Sequence, residues 1–64
     1  MTKRSLQRKG YTIKHAAAVG WWVDGACGYM VSGYHPTEAL ALAAASAAIA
    51  EAKASGSRPC WLFN

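Results

Sequence analysis

Residues 11–15 alternate between aromatic or apolar and polar side chains. This period of two is typical of a half-buried β-strand. The alternation fades over residues 16–18, where we expect a bulge or a break. Residues 1–10 are mostly polar and show no hydrophobic period. They predict a flexible basic arm that ends at Gly10, followed by a single domain over residues 11–64.

The dipeptide Asp24-Gly25 separates two largely apolar runs, residues 21–23 and residues 26–31. Asp-Gly readily adopts the positive φ angles that a two-residue hairpin turn requires. We therefore expect a hairpin in which each strand glycine faces an aromatic ring. The predicted pairs are Val23 with Ala26, Trp22 with Cys27, Trp21 with Gly28, Gly20 with Tyr29 and Val19 with Met30. Both faces of this hairpin are apolar, so one of them needs cover beyond the helix.

An alanine-rich stretch after Pro36 predicts one long helix, from Thr37 to about Ala54. Pro36 suits the first helical position, where a missing N–H costs nothing, and Glu38 suits the positive end of the helix dipole. Gly56 is a natural stop. Two nearly opposite stripes are apolar: one is Leu42, Ala45, Ile49 and Ala52, and the other is Leu40, Ala43, Ala47, Ala50 and Ala54. Either the helix packs on both sides, which implies a homo-oligomer or a protein partner, or it exposes alanines, which are small enough to be tolerated in water.

The segment Arg58–Phe63 is short, apolar and aromatic. We expect it to form a third strand at a sheet edge, because Pro59 cannot donate to a β-ladder and therefore suits an edge. A tail that docks on the domain is the alternative. The predicted fold is α+β with the order ββαβ: a small antiparallel β-hairpin or three-stranded sheet packed on one alanine-rich helix.

The composition favours a folded domain with an interface. Hydrophobic residues make up 53% of the 64 residues and charged residues 16%, which is too apolar for a disordered chain and less charged than a typical soluble domain. A chain of this length buries only about 60% of its unfolded surface. We therefore expect a partner surface to be part of the structure.

The formal net charge of +4 is concentrated near the N-terminus. Four of the seven cationic side chains fall in the first nine residues: Lys3, Arg4, Arg8 and Lys9. Such an arm suits nucleic-acid phosphates, anionic lipid or an acidic protein, or it serves only as a solvated tail. Trp22 and Tyr29 offer rings on which bases stack. The same rings equally suit a core or a protein interface.

The two cysteines, Cys27 and Cys60, have no close spacing and do not indicate a disulfide framework. We expect two reduced thiols, with a disulfide only if the tail pairs near the hairpin in an oxidising compartment. The three acidic residues do not form a plausible carboxylate pair, and the Cys and His residues lack the short spacings of metal ligands. The expectation is a non-enzymatic protein without metal or cofactor.

The apolar run over residues 16–23 is a poor export signal, because it is short, is broken by Gly20 and directly follows Lys14 and His15. No stretch reaches the roughly 18 uninterrupted apolar residues of a membrane-spanning helix. We expect a soluble, cytoplasmic protein with no membrane association.

Two segments carry a resemblance to a known family. Gly33–Ala43, which contains Glu-Ala-Leu-Ala-Leu-Ala, and Arg58–Cys60 resemble the small podophage-encoded inhibitors of bacterial RNA polymerase. The resemblance implies a non-enzymatic phage product that binds the polymerase jaw in the host cytoplasm and blocks productive initiation. Arg58 matches an arginine that this family uses for contact.

Two weaker resemblances concern the helix. Glu38–Ala44 is similar to the final helix of double-stranded-RNA-binding domains, and HicB-type antitoxins share a strand-strand-helix core, which implies a toxin partner. The leading hypothesis is a phage or mobile-element protein that inhibits or modulates a host protein, with RNA polymerase first. The alternative is a nucleic-acid-binding module that uses the basic arm. The candidate binding residues are Arg58, Trp22, Tyr29, Trp61, Lys3, Arg4, Arg8 and Lys9.

Overall fold

The computed structural model describes residues 2–63 and contains four regular elements: α1 (Lys3–Lys9), β1 (Thr12–Ala16), β2 (Gly20–Asp24) and α2 (Glu38–Ala54). The predicted α+β class is confirmed, since β1 and β2 form an antiparallel hairpin beside one long helix. Helix α2 packs on β2, and α1 packs on β1. The core between these elements consists of Leu6, Tyr11, Val23, Ala41, Ala45 and Ile49.

The hairpin joins β1 to β2, so the prediction of a two-residue turn at Asp24-Gly25 is wrong. Thr12 lies opposite Asp24, and residues 17–19 connect the strands. Gly25 does not have a positive φ. A Cβ atom at this position would lie 2.5 Å from the carbonyl oxygen of Trp61. Glycine is therefore required here by the close approach of the C-terminal segment, and not by a tight turn.

Residues 30–35 run antiparallel to β2 along its free edge as an irregular strand. Trp21 and His35 exchange two backbone hydrogen bonds, of 2.7 and 2.8 Å. Further along, the Ser32 hydroxyl accepts a hydrogen bond of 2.9 Å from the N–H of Val23. The predicted register, with a glycine opposite Trp21, is therefore wrong, because His35 occupies that place.

Gly20 begins β2 at a point where a larger residue does not fit. Its φ is +94°, which L side chains rarely adopt, and an added Cβ would overlap the carbonyl oxygen of His35. The same carbonyl accepts the N–H of Trp21. Glycine at position 20 thus lets the irregular strand come within bonding distance of β2.

The segment predicted as a flexible arm forms helix α1 instead. The Thr2 hydroxyl caps the helix by accepting the N–H of Ser5 over 3.1 Å, and Gly10 ends it in the left-handed conformation. Leu6 is fully buried in the core. Leucine is the only apolar residue among the seven of α1, so no period is visible in the sequence. The helix depends on this tertiary contact, because an isolated helix of this length is unstable in water.

The predicted long helix is present as α2. Its N-cap is Thr37, which has a non-helical φ of −133° and whose hydroxyl accepts the N–H of Leu40 over 3.2 Å. Pro36 therefore precedes the cap and does not occupy the first helical position. The predicted stripe that contains Ile49 faces the core, whereas the opposite stripe, which starts at Leu40, is exposed. Only one of the two apolar stripes is buried within the chain.

Residues 58–63 form no strand, so the predicted third strand is absent from this part of the chain. The segment docks as a tail, as in the alternative expectation. The carbonyl of Trp61 accepts the N–H of Ala26 over 2.9 Å. The N–H of Phe63 donates to the Tyr11 hydroxyl over 3.1 Å, and the two rings meet edge to face with centroids 4.8 Å apart. These contacts fix the tail against the rest of the domain.

Cys27 and Cys60 form a disulfide, so the prediction of two reduced thiols is wrong. Their Cα atoms are 5.8 Å apart, within the usual range for a disulfide. The hydrogen bond between the neighbouring residues Ala26 and Trp61 holds the two segments side by side. The spacing of the cysteines along the chain does not indicate this pairing, because it depends on the tail docking on a loop 33 positions away.

The variant Leu6→Ala tests whether α1 is part of the folded domain. Truncation of a fully buried leucine leaves a cavity, so we expect the free energy of unfolding to fall by about 2–5 kcal/mol. Gln7→Ala, a change at an exposed position of the same helix, should alter it by less than about 0.5 kcal/mol. Urea unfolding followed by tryptophan fluorescence gives both values. Equally small effects of the two changes would show that residues 3–9 are a solvated arm.

The double variant Cys27→Ser/Cys60→Ser tests the disulfide. A cross-link between residues 33 positions apart restricts the unfolded chain, and its loss should lower the free energy of unfolding by about 3–4 kcal/mol. Urea unfolding with and without dithiothreitol measures this loss. Dithiothreitol should lower the free energy of unfolding of the wild-type protein and leave that of the variant unchanged. Identical unfolding midpoints of oxidised and reduced wild-type protein would contradict a stabilising bond.

Candidate functional site

The hairpin has two faces, and the strand pairing assigns residues to them. Alternate residues of a strand point to opposite sides, and directly opposed residues share a side. Val23 and its partner Ile13 lie on the inner face, with the core and α2. Trp22 and its partner Lys14 lie on the other side. We call this the outer face; its residues are Thr12, Lys14, Trp22, Asp24, Met30 and Tyr34.

Trp22 and Tyr34 form the aromatic centre of the outer face. Their ring centroids are 5.4 Å apart and the ring planes meet at 79°, which is an edge-to-face contact. Tyr34 is 55% exposed, and Trp22 is half-buried. The paired hydrogen bonds between Trp21 and His35 fix the backbone directly beside both rings. An exposed tyrosine ring and a half-buried tryptophan ring thus lie together on a hydrogen-bonded support.

An ion pair lies beside the aromatic pair on the outer face. Lys14 Nζ is 3.0 Å from Asp24 Oδ2, and the two side chains are 52% and 15% exposed. A pair this accessible contributes at most about 1 kcal/mol to stability. Its main effect is on charge, because the lysine opposite Trp22 is neutralised. The outer face is therefore aromatic and locally neutral, which suits a protein surface better than a polyanion.

Tyr29 and Trp61, both predicted as binding residues, lie elsewhere. Tyr29 is 60% exposed in the loop that carries Cys27, and the ring that contacts Trp22 is Tyr34. Trp61 is half-buried and packs against the core, and its carbonyl holds the loop. Trp61 therefore has a structural role. The sequence alone does not separate this role from a binding role, because an aromatic residue suits both.

Helix α1 places the basic residues of the predicted arm in different surroundings. Lys3 forms an ion pair with Glu38, the first residue of α2, with 3.2 Å between Nζ and Oε2. Arg4 and Arg8 are exposed and are four positions apart, so they share one side of α1. At 100° per residue this is the side opposite Leu6. Charge neutralisation thus occurs at the start of α1.

Lys9, at the end of α1, lies close enough to another cation to be affected by its charge. Its partner is Lys53 in the last turn of α2. The hydrogen-bonding interaction of the two side chains, followed by their charge repulsion, holds the pKa of Lys9 below the usual 10.5, and burial contributes least. Two like charges therefore meet where both helices end.

A shallow cavity of about 180 Å³ opens beside this pair of lysines. Its lining residues are Lys53, Gly56, Ser57, Arg58, Leu62 and Phe63. Gly10 packs closely on the Phe63 ring, which brings the end of α1 to the rim of the cavity. We call this region the basic cleft and define it by Lys9, Lys53, Ser57 and Arg58.

The structure adds two residues that sequence reasoning missed. Tyr34 lies between a glycine and the His35-Pro36 dipeptide, so its position is typical of a turn and not of a sheet face. Lys53 matches the usual preference for cations at a helix C-terminus. No local pattern relates Lys53 to Lys9, because the sequence pattern does not predict α1.

Within residues 2–63, no group of three or more His, Cys, Asp or Glu side chains is arranged to hold a metal ion. No helix in that range is long and apolar enough to cross a bilayer. The chain was compared with models of protein families, with curated proteins and with solved structures, and none matches. Its function is therefore inferred from the outer face and the basic cleft.

The variant Lys53→Gln tests the contact between the two lysines. Removal of the Lys53 ammonium should raise the pKa of Lys9 toward its usual 10.5, and a pH titration of the lysine side-chain NMR signals measures this change. Lys3→Gln, which removes the same charge at the other end of α1, should leave the pKa of Lys9 in place.

The pKa of Lys9 also has a consequence for stability. The unfolded chain binds more protons than the folded chain between the lowered folded pKa and the unfolded value, so stability rises with pH through that window. This rise should be smaller in Lys53→Gln than in the wild-type protein. An unchanged pKa of Lys9 in the variant would contradict the contact.

Proposed function

We propose that this protein is a small non-enzymatic binding protein that uses the outer face to dock on a partner protein. The observation that supports this function is the aromatic pair of exposed Tyr34 and half-buried Trp22 on the side of the sheet that α2 leaves uncovered. Trp and Tyr are enriched among the residues that dominate protein interfaces, because they bury a large area and lose few rotamers.

The rings of Trp22 and Tyr34 are not part of the core. Val23 is fully buried and packs with Ala41 and Ala45 of α2, and Trp21 and Ile13 add to the same inner side. The opposite side of β2 makes no contribution to this cluster. A partner that covers it removes apolar area from water at about 25 cal/mol per Å².

The outer face is also held in one arrangement before binding. β2 is bonded to β1 on one edge and to residues 30–35 on the other. Rings that are fixed in advance lose little conformational freedom when a partner docks, which favours affinity. The ion pair between Lys14 and Asp24 adds polar groups beside the rings, as in an interface whose aromatic centre has a polar rim.

Bacterial RNA polymerase is the partner that we propose to test first. The support is the resemblance of Gly33–Ala43 and Arg58–Cys60 to podophage inhibitors of that enzyme, which would act in the host cytoplasm. Arg58 is exposed at the edge of the basic cleft, where a partner can reach it. Tyr34 of the outer face falls within the first of these segments.

The variants Trp22→Ala and Tyr34→Ala test the proposed surface. Each should weaken the complex with purified bacterial RNA polymerase by about 2 kcal/mol, or roughly 30-fold in Kd, as measured by surface plasmon resonance. Tyr29→Ala removes a tyrosine of similar exposure outside the aromatic pair and should leave Kd nearly unchanged. Circular dichroism of all three variants checks the fold.

Two results would contradict different parts of the proposal. Wild-type protein that fails to bind the polymerase would exclude that partner, and a toxin of the HicB-associated type would be the next to test. Binding that is retained in Trp22→Ala and Tyr34→Ala would exclude the outer face.

A further inference from the structure

The basic cleft gathers cations at the margin of the fold: Lys53 and Arg58 line its cavity, and the end of α1, with Lys9, lies beside it. Lys9 ends α1 and Lys53 lies in the last turn of α2, and the repulsion between their charges contributes to the lowered pKa of Lys9. The carboxylates of Glu38 and Asp24 are engaged elsewhere, in ion pairs with Lys3 and Lys14. The third acidic residue, Glu51, is exposed and lines a neighbouring groove together with Ser57.

The two ends of α1 can be compared directly. At its start, Lys3 meets a carboxylate of α2, and at its end, Lys9 meets an ammonium of α2. A cation near a helix C-terminus is favoured by the helix dipole, which explains each lysine of the cleft separately. It does not explain why the two cations lie at the same margin of the fold. An anion bound between them would resolve the repulsion.

The groups around the cavity are those that recognise a phosphate. Lys53 supplies an ammonium, Arg58 supplies a planar guanidinium that matches phosphate oxygens, and Ser57 supplies a hydroxyl. The Ser57 hydroxyl is held 2.9 Å from the hydroxyl of Ser55, so it is positioned by the end of α2. We propose that the basic cleft binds a phosphate group, with Lys9 and Lys53 on either side of its oxygens.

Nucleic-acid backbone is the source of phosphate that the surrounding charge favours. Arg4 and Arg8 are two further exposed cations of α1, and the chain has a net charge of +4, so the rest of a nucleic-acid strand meets positive charge beyond the cleft. A small phosphate compound would use only the cleft. Backbone binding of this kind is independent of base sequence and decreases steeply with salt. It also does not depend on the outer face proposed above for a partner protein.

The test uses a fluorescently labelled single-stranded oligonucleotide and the full, oxidised chain. Fluorescence anisotropy at several salt concentrations should show that Lys9→Gln/Lys53→Gln binds about tenfold or more weakly than wild type, with a salt slope smaller by about 1. The matched control is Lys3→Gln/Lys14→Gln, which removes the same charge from two exposed ion pairs and should lose much less affinity. Lys9→Arg/Lys53→Arg should retain binding.

Further variants and one further ligand distinguish a phosphate site in the cleft from attraction by net charge and from stacking on the outer face. Trp22→Ala should bind the oligonucleotide as wild type does. Equal losses in the cleft variant and the charge-matched control would show attraction by net charge alone and overturn the site. Loss of binding in Trp22→Ala with normal binding by the cleft variant would overturn it also. Saturable NMR shifts of Lys9 and Lys53 with inorganic phosphate, without oligonucleotide binding, would overturn the nucleic-acid source.

Discussion

The close packing of α2 on β2 is the contact on which the other features depend. Ala41 and Ala45 are completely buried against Val23, and their short side chains let the helix backbone approach the sheet. The cost of this arrangement is a small core, since Leu6, Val23 and Ile49 are its largest fully buried side chains. A domain of this size has little apolar area to spare. The tail, α1 and the disulfide supply the remaining contacts around its margin.

The two candidate surfaces follow from that packing. A single helix covers one side of a two-stranded sheet, so Trp22 and Tyr34 are left on the other. The irregular strand adds Tyr34 only because Gly20 permits its close approach to β2. The basic cleft forms at the margin, where α1, the last turn of α2 and the tail meet around Phe63. One surface is neutral and aromatic, and the other is cationic.

The sequence predicts what is decided locally. The alanine-rich helix is encoded by composition, and its predicted bounds agree with α2 to within a residue. The hairpin is predicted in the wrong place because Gly25 follows an aspartate, as a turn glycine often does. Glycine is required at this position by the close approach of Trp61, which is far along the chain. Helix α1 depends on one leucine, which no periodicity can show. Trp22 is found as an aromatic residue in a strand, but its pairing with Tyr34, like that of Lys9 with Lys53, arises only in the folded chain.

The disulfide makes part of the molecule a covalent ring. Cys27 and Cys60 enclose the irregular strand and all of α2, while the hairpin and α1 lie outside the ring. Both cysteines are exposed, so small thiols have access to them, and the cytosol holds accessible disulfides in balance with glutathione. Arg58 and Phe63, on either side of Cys60, form part of the cleft wall. The same chain would therefore present a rigid cleft in an oxidising compartment and a loosened one where glutathione is reduced.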